Sequence, residues 1–129
     1  FVLPKSPAEF TQSVPYAAVE SILKEADKAA HVTVTEEGKS VEGRSLWMAN
    51  IRRGHSPNPW RIFLFGQQYG NEPAGKDALV WMVDDLARNP KKLPKDIDLY
   101  ILPLVNPDGA EAFKRRNAND RDLNRDHIT

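Results

Sequence analysis

The sequence predicts an α/β fold with a mixed sheet, a right-handed βαβ crossover and flanking helices. Two observations carry this. Two strand-sized apolar runs, Trp60–Phe65 and residues 97–105, are separated by a helical pattern over residues 72–88. Strand, helix and strand in that order make a crossover, whose strands pair in parallel and whose hand is right. Upstream, residues 31–35 and 45–52 alternate or are β-branched, and they read as an antiparallel pair punctuated by Gly38 and Gly43.

Residues 1–10 carry Pro4 and Pro7 and read as an extended lead-in. Thr11 or Ser13 is positioned to cap a helix over residues 15–30, with Pro15 in its first turn. Val19, Ile22, Leu23 and Ala26 fall on one face of that helix, while Lys24, Glu25, Asp27 and Lys28 fall largely on the other. Trp60–Phe65 is an uninterrupted apolar run, which predicts burial on both faces. In the second helix the predicted buried stripe is Leu79, Met82, Val83 and Leu86. Pro90 and Pro94 then break the chain. Residues 106–125 show no periodic element and are dense in Asn, Asp and Arg, and long loops of this kind are often functional.

Composition excludes several classes. Of 129 residues, 40% are hydrophobic and 28% charged, which sets aside disordered and membrane proteins. No apolar run approaches the roughly 20 residues of a membrane helix. Eighteen basic residues balance eighteen acidic ones, which argues against nucleic acid as a partner. There is no cysteine, hence no disulfide, thiolate metal site or thiol nucleophile. That suits cytosol and periplasm alike, and the compartment stays open, as does the oligomeric state. The sequence starts at Phe1 and stops soon after its richest polar cluster, without a signal-peptide pattern, so both ends are expected to be cuts in a longer sequence.

Two polar clusters follow the two apolar strands, at the edge where open α/β sheets bind ligands. The first is Gln67-Gln68-Tyr69-Gly70-Asn71-Glu72. Glu72 alone reads best as a helix-start acid, favoured by the dipole, with a metal-binding carboxylate as the functional alternative. The second is Asn106-Pro107-Asp108-Gly109, continuing through Arg115-Arg116-Asn117 to Asp122-Leu123-Asn124-Arg125. Its charges make either an internally paired, solvated loop or an anion site, since the Arg fork suits carboxylate and phosphate. Composition weighs the two evenly. His127 is the only histidine near either cluster, and no metal, nucleophile or phosphate-loop motif of the common kinds is present.

These clusters resemble the M14 zinc carboxypeptidase family. Gly66-Gln67-Gln68-Tyr69-Gly70-Asn71-Glu72-Pro73 is similar to its zinc loop, His-x-x-Glu within Gly-x-x-His-Gly-Asn-Glu. Asn106-Pro107-Asp108-Gly109 resembles the turn after the next strand, and Arg115-Arg116-Asn117 with Asp122-Leu123-Asn124-Arg125 resembles the carboxylate loop of bacterial members. Val41-Glu42-Gly43-Arg44-Ser45-Leu46 resembles an early hairpin. The likeness spans about residues 17–127, and the order and spacing of the motifs make it specific. It implies a zinc-carboxypeptidase-like fold and a zinc ion (Zn2+) as cofactor. It further implies Glu72 as a metal ligand, Arg116 polarising the scissile carbonyl, and Asn124 with Arg125 gripping the carboxylate of a peptide substrate's free C-terminus.

Two departures qualify the expectation. Tyr69 stands where the zinc His is usual; a phenol must lose a proton with a pKa of about 10, so it is expected to hold metal more weakly than imidazole. The family's remaining zinc His, general-base Glu and specificity residues lie further along than this sequence runs. Residues 1–129 are therefore expected to be the N-terminal part of a single domain, inactive alone, within a protein that hydrolyses C-terminal peptide bonds. The alternative is a catalytically dead relative that binds C-terminal carboxylates without metal. A structural module with paired charges comes third.

Overall fold

The computed structural model of the protein describes residues 1–127. Its elements are α1 (Tyr16–Ala26), β1 (Val32–Lys39), β2 (Ser45–Ile51), β3 (Trp60–Phe65), α2 (Ala74–Arg88), β4 (Ile97–Leu102) and the short α3 (Pro107–Glu111). Turns of 3-10 helix lie at Pro7–Glu9, Pro90–Lys92 and Leu123–Arg125. The strands form one mixed sheet in the order β1-β2-β4-β3. β1 with β2 and β2 with β4 are antiparallel, whereas β3 and β4 are parallel, as a crossover through α2 requires. No helix of the described residues is long and apolar enough to cross a membrane.

The core lies between the sheet and the two long helices. Val19, Leu23 and Ala26 of α1 meet Val80, Val83 and Leu86 of α2 over Val32, Ala49, Ile51, Leu99 and Ile101 of the sheet. Burying each Val, Leu or Ile among them contributes about 1.5–3 kcal/mol.

α1 is shorter than its periodicity predicts, ending at Ala26 rather than near residue 30. Its next residue, Asp27, turns its carboxylate to accept the Val34 N–H of β1 at 2.7 Å, which diverts the chain into the strand. The start also differs. Pro15 caps α1 without a side-chain bond, because Ser13 is engaged elsewhere. Ser13 Oγ accepts from Lys76 Nζ at 2.7 Å and donates to Asp77 at 3.2 Å, and Asp77 also accepts from the Val14 N–H at 2.9 Å. Lys76 and Asp77 are thereby buried as an ion pair at the start of α2. The buried stripe of α2 accordingly centres on Val80, Val83 and Leu86, with Leu79 and Met82 only partly covered.

β3 departs most from expectation. It is an edge strand, paired only with β4, and is not buried on both faces. Ile62 and Leu64 face a shallow groove shared with Trp81, Met82 and Leu86 of α2. Phe63 and Phe65 point the other way, stacked on each other at 5.7 Å and 55% and 48% exposed. No helix covers that sheet face among the described residues. An apolar run reports an affinity for cover, and here the cover is one-sided.

Candidate functional site

The site is built where β3 and β4 end. Beyond Phe65 the chain turns through Gln67, which takes a left-handed φ of 53°, uncommon for a residue with a side chain. Gln67 is buried; its Nε2 donates to the Gly70 carbonyl at 2.8 Å, while its Oε1 has no donor among the described residues. An unmet buried acceptor and a strained backbone at one residue are features that gather at functional sites.

Beyond β4, Asn106 organises the second loop. It is buried, and its Oδ1 accepts the Gly109 N–H at 3.0 Å, capping α3 with Pro107 at the first helical position. Its Nδ2 donates to the Gln68 carbonyl at 3.1 Å and to the Arg115 carbonyl at 3.4 Å, tying both loops to one amide. The loops interlock at two glycines. A Cβ on Gly70 would lie 2.1 Å from the Gly109 backbone, and one on Gly109 would lie 2.6 Å from the Arg116 carbonyl. The Gly70 N–H also donates to the Arg115 carbonyl at 3.3 Å.

The β1–β2 turn braces this loop from below. Buried Asp108 accepts from Ser40 Oγ at 2.7 Å, Arg44 Nη1 at 2.7 Å and the Glu42 N–H at 3.0 Å. Burial works to raise the Asp108 pKa, but the bonds from Ser40, Arg44 and Glu42 outweigh it and hold the carboxyl below its ordinary value.

Tyr69 sits at the junction. Its hydroxyl accepts from Asn124 Nδ2 at 2.8 Å, and the Arg115 guanidinium lies 3.7 Å over its ring. Arg115 Nε in turn donates to Asp122 at 3.0 Å, and Asp122 accepts the Asn124 N–H at 3.1 Å. Desolvation opposes the Asp122 carboxylate, yet those two bonds prevail and hold its pKa low. Gln68 Nε2 lies 3.0 Å from His127 Nε2, adding a further link between the loops.

The residues singled out from the sequence are distributed unevenly over this arrangement. Tyr69 and Asn124 meet directly. Arg125 follows in the same 3-10 turn, exposed, with Nη1 donating to the Asn124 carbonyl at 3.3 Å. Arg116 is exposed and turned to Asp120, donating to its carbonyl at 3.1 Å and its carboxylate at 3.2 Å. Glu72 is exposed just before α2, its N–H donating to the Tyr69 carbonyl at 3.0 Å. With Gln67, Gln68 and Tyr69 it lines a shallow cleft beside the start of α2. Arg115, Asn106 and Asp108 carry more of the architecture than sequence reasoning assigned them. The Asn-Pro pair was the available signal, since it marks a capped helix start.

Loops carrying carboxylate, amide and guanidinium groups at the carboxyl edge of a mixed α/β sheet stand where α/β domains bind their ligands. Within that class the zinc carboxypeptidase family model, Peptidase M14, matches residues 19–128. The chain belongs to this family. It is 37% identical to carboxypeptidase SOL1 of Arabidopsis thaliana over 97 residues, covering 69% of this chain and 20% of that protein. It is 44% identical to carboxypeptidase 2 of Trichophyton rubrum over 99 residues, covering 70% and 18%. Among solved structures, carboxypeptidase A from Helicoverpa armigera superposes with a TM-score of 0.73 at 25% identity, over 87% of this chain and 31% of that one. The chain thus spans about a fifth of the length of the curated relatives it matches.

Zinc is the metal of the family, and the donors present here fit it poorly. A catalytic zinc takes three protein ligands, chiefly His, Glu, Asp or Cys. Among the described residues no three His, Cys, Asp or Glu side chains gather to hold an ion. Tyr69 directs its oxygen to Asn124 and its ring to Arg115. Residues 1–127 do not assemble a zinc centre by themselves.

Proposed function

We propose that this chain recognises the free C-terminal carboxylate of a peptide, as part of a peptidase that hydrolyses the C-terminal bond. The observation that carries this is the placement of Asn124 and exposed Arg125 side by side in one turn, beside the loop that follows β3. An amide donor next to a planar guanidinium suits a carboxylate, which accepts charge-assisted bonds from both. Arg116, on the same loop, is the candidate to polarise the scissile carbonyl; it would first have to leave Asp120. Glu72 is the candidate metal ligand of this chain, with Tyr69, which lines the same cleft, as the weaker second candidate.

Hydrolysis in the whole protein then depends on metal ligands and a base that residues 1–127 do not supply. On this reading residues 1–129 form the N-terminal part of a single carboxypeptidase-like domain and are inactive alone. The uncovered face of Phe63 and Phe65 supports that division, since an apolar sheet face calls for cover.

A second reading is favoured by Tyr69. Its engagement with Asn124 and Arg115 suits a relative that binds C-terminal carboxylates without metal. Zinc analysis of the complete protein with Tyr69 and with Tyr69→His separates the two. About one tightly held zinc per chain with Tyr69 supports the peptidase. Zinc in Tyr69→His only supports the metal-free binder.

A further inference from the structure

The Asn124 side-chain amide turns one of its two N–H groups to Tyr69. That hydrogen goes to the Tyr69 hydroxyl at 2.8 Å, while the main-chain carbonyl and main-chain N–H of Asn124 are engaged by Arg125 and Asp122 and hold the residue in place. The phenol oxygen therefore stands where a ligand oxygen would accept that same hydrogen. The ring beneath is held by Arg115, whose Nε is anchored on Asp122, the same carboxylate that accepts the Asn124 N–H. Tyr69, Arg115, Asp122 and Asn124 make a closed circuit joining the loop after β3 to the loop before residue 127. All of it is exposed or half-buried, so opening it uncovers no core.

The geometry points to Tyr69 as a displaceable latch, an internal competitor that occupies Asn124 until a carboxylate takes its place. This rests on the carboxylate reading above and adds to it a closed, ligand-free state. A neutral phenol oxygen is a weaker acceptor than a carboxylate, whose charge-assisted bonds are roughly twice as strong. Displacement is therefore downhill for a carboxylate ligand, but its apparent affinity is reduced by the fraction of molecules in which the latch is closed. Tyr69 is a positioning residue in this scheme. It acts through Asn124 and forms no bond to the ligand.

The test is calorimetric titration of the complete protein with an N-acetylated dipeptide bearing a free carboxylate. It is run for the natural protein and for Tyr69→Phe, which keeps the ring under Arg115 and removes the competing oxygen. One net hydrogen bond corresponds to roughly twofold to tenfold in an equilibrium constant, so Tyr69→Phe is expected to bind tighter by that factor. A merely structural role predicts weaker binding. Alongside, the Cζ carbon resonance of Tyr69, labelled by site-specific incorporation of carbon-13 tyrosine at that one position, is expected to move when the natural protein is saturated. If both proteins bind and Tyr69→Phe binds no tighter, the latch is wrong and the carboxylate site stands. If folded Tyr69→Phe and the natural protein both fail to bind, the carboxylate reading falls and the latch with it. If Tyr69→Phe does not fold, the resonance decides: a Tyr69 signal unmoved at saturation overturns the latch.

Discussion

The Tyr69 hydroxyl accepts a hydrogen bond from the Asn124 side-chain amide at 2.8 Å, across 55 positions of sequence. It joins the two loops that follow the two parallel strands, and Arg115 over the Tyr69 ring reinforces the junction.

That relationship has a measurable stability. Tyr69→Phe removes one exposed hydrogen bond and should lower unfolding free energy by about 0.5–1.5 kcal/mol. Tyr69→Ala also forfeits the contact with Arg115 and should cost about 0.5–1 kcal/mol more. Urea midpoints of the two variants read the difference. Equal midpoints for Tyr69→Phe and the natural protein would show that the hydroxyl contributes nothing to holding the loops.

Asp108 predicts an acid dependence. Its folded pKa is depressed, because the bonds from Ser40, Arg44 and Glu42 overcome its burial. A depressed carboxyl contributes stability that is complete above its unfolded pKa of about 3.9 and is lost as pH falls through the folded value. Asp108→Asn keeps the shape and removes the charge. It should cost about 1–3 kcal/mol at pH 7, and the loss of stability below about pH 4 should become shallower. Denaturant titrations at pH 7 and pH 3 check both parts. An unchanged slope in acid would move the pH dependence to another carboxylate.

Much of this was legible in the residues. The crossover from β3 through α2 to β4 shows as two apolar runs bounded by polar loops and prolines, and local signals of that kind survive folding. The edge position of β3 does not show, because Phe63 and Phe65 are equally apolar whether a neighbour covers them or not. Nor does the burial of Lys76 and Asp77, whose partners Ser13 and Val14 lie more than sixty positions away. At the site, Asn106-Pro107 announces a capped turn, and the Arg and Asp density announces paired charge. The meeting of Tyr69 with Asn124 depends on Gly70 pressing against Gly109, a distance between loops that no local pattern encodes.

The sheet face of Phe63 and Phe65 predicts association. These rings, with Leu102, Val105 and Leu123, line an apolar hollow on the face that no helix covers among the described residues. A free apolar face beside an unpaired edge strand is an invitation to self-pairing. Residues 1–129 expressed alone should sediment as more than a monomer. Phe63→Lys with Phe65→Lys should shift them toward the monomer while the circular dichroism of the fold is kept. A monomeric natural segment at high protein concentration would show that the face tolerates water.

Arg125 predicts the energetics of recognition. Hydrogen bonds to a charged group are worth about 1.5–3 kcal/mol, so Arg125→Ala in the complete protein should weaken binding of a free-carboxylate dipeptide by about 10-fold to 150-fold. Arg125→Lys restores the charge without the planar fork and should recover only part of the loss. The matching dipeptide amide, which carries no charge, should bind the natural protein poorly and be far less affected by either variant. Stability should hardly change, because Arg125 is exposed and its bond to the Asn124 carbonyl is long at 3.3 Å. Titration calorimetry with both ligands, beside a melting curve for each variant, separates recognition from folding. If acid and amide bind alike, or Arg125→Ala binds the acid as well as the natural protein does, Arg125 is a surface arginine and the carboxylate is held elsewhere.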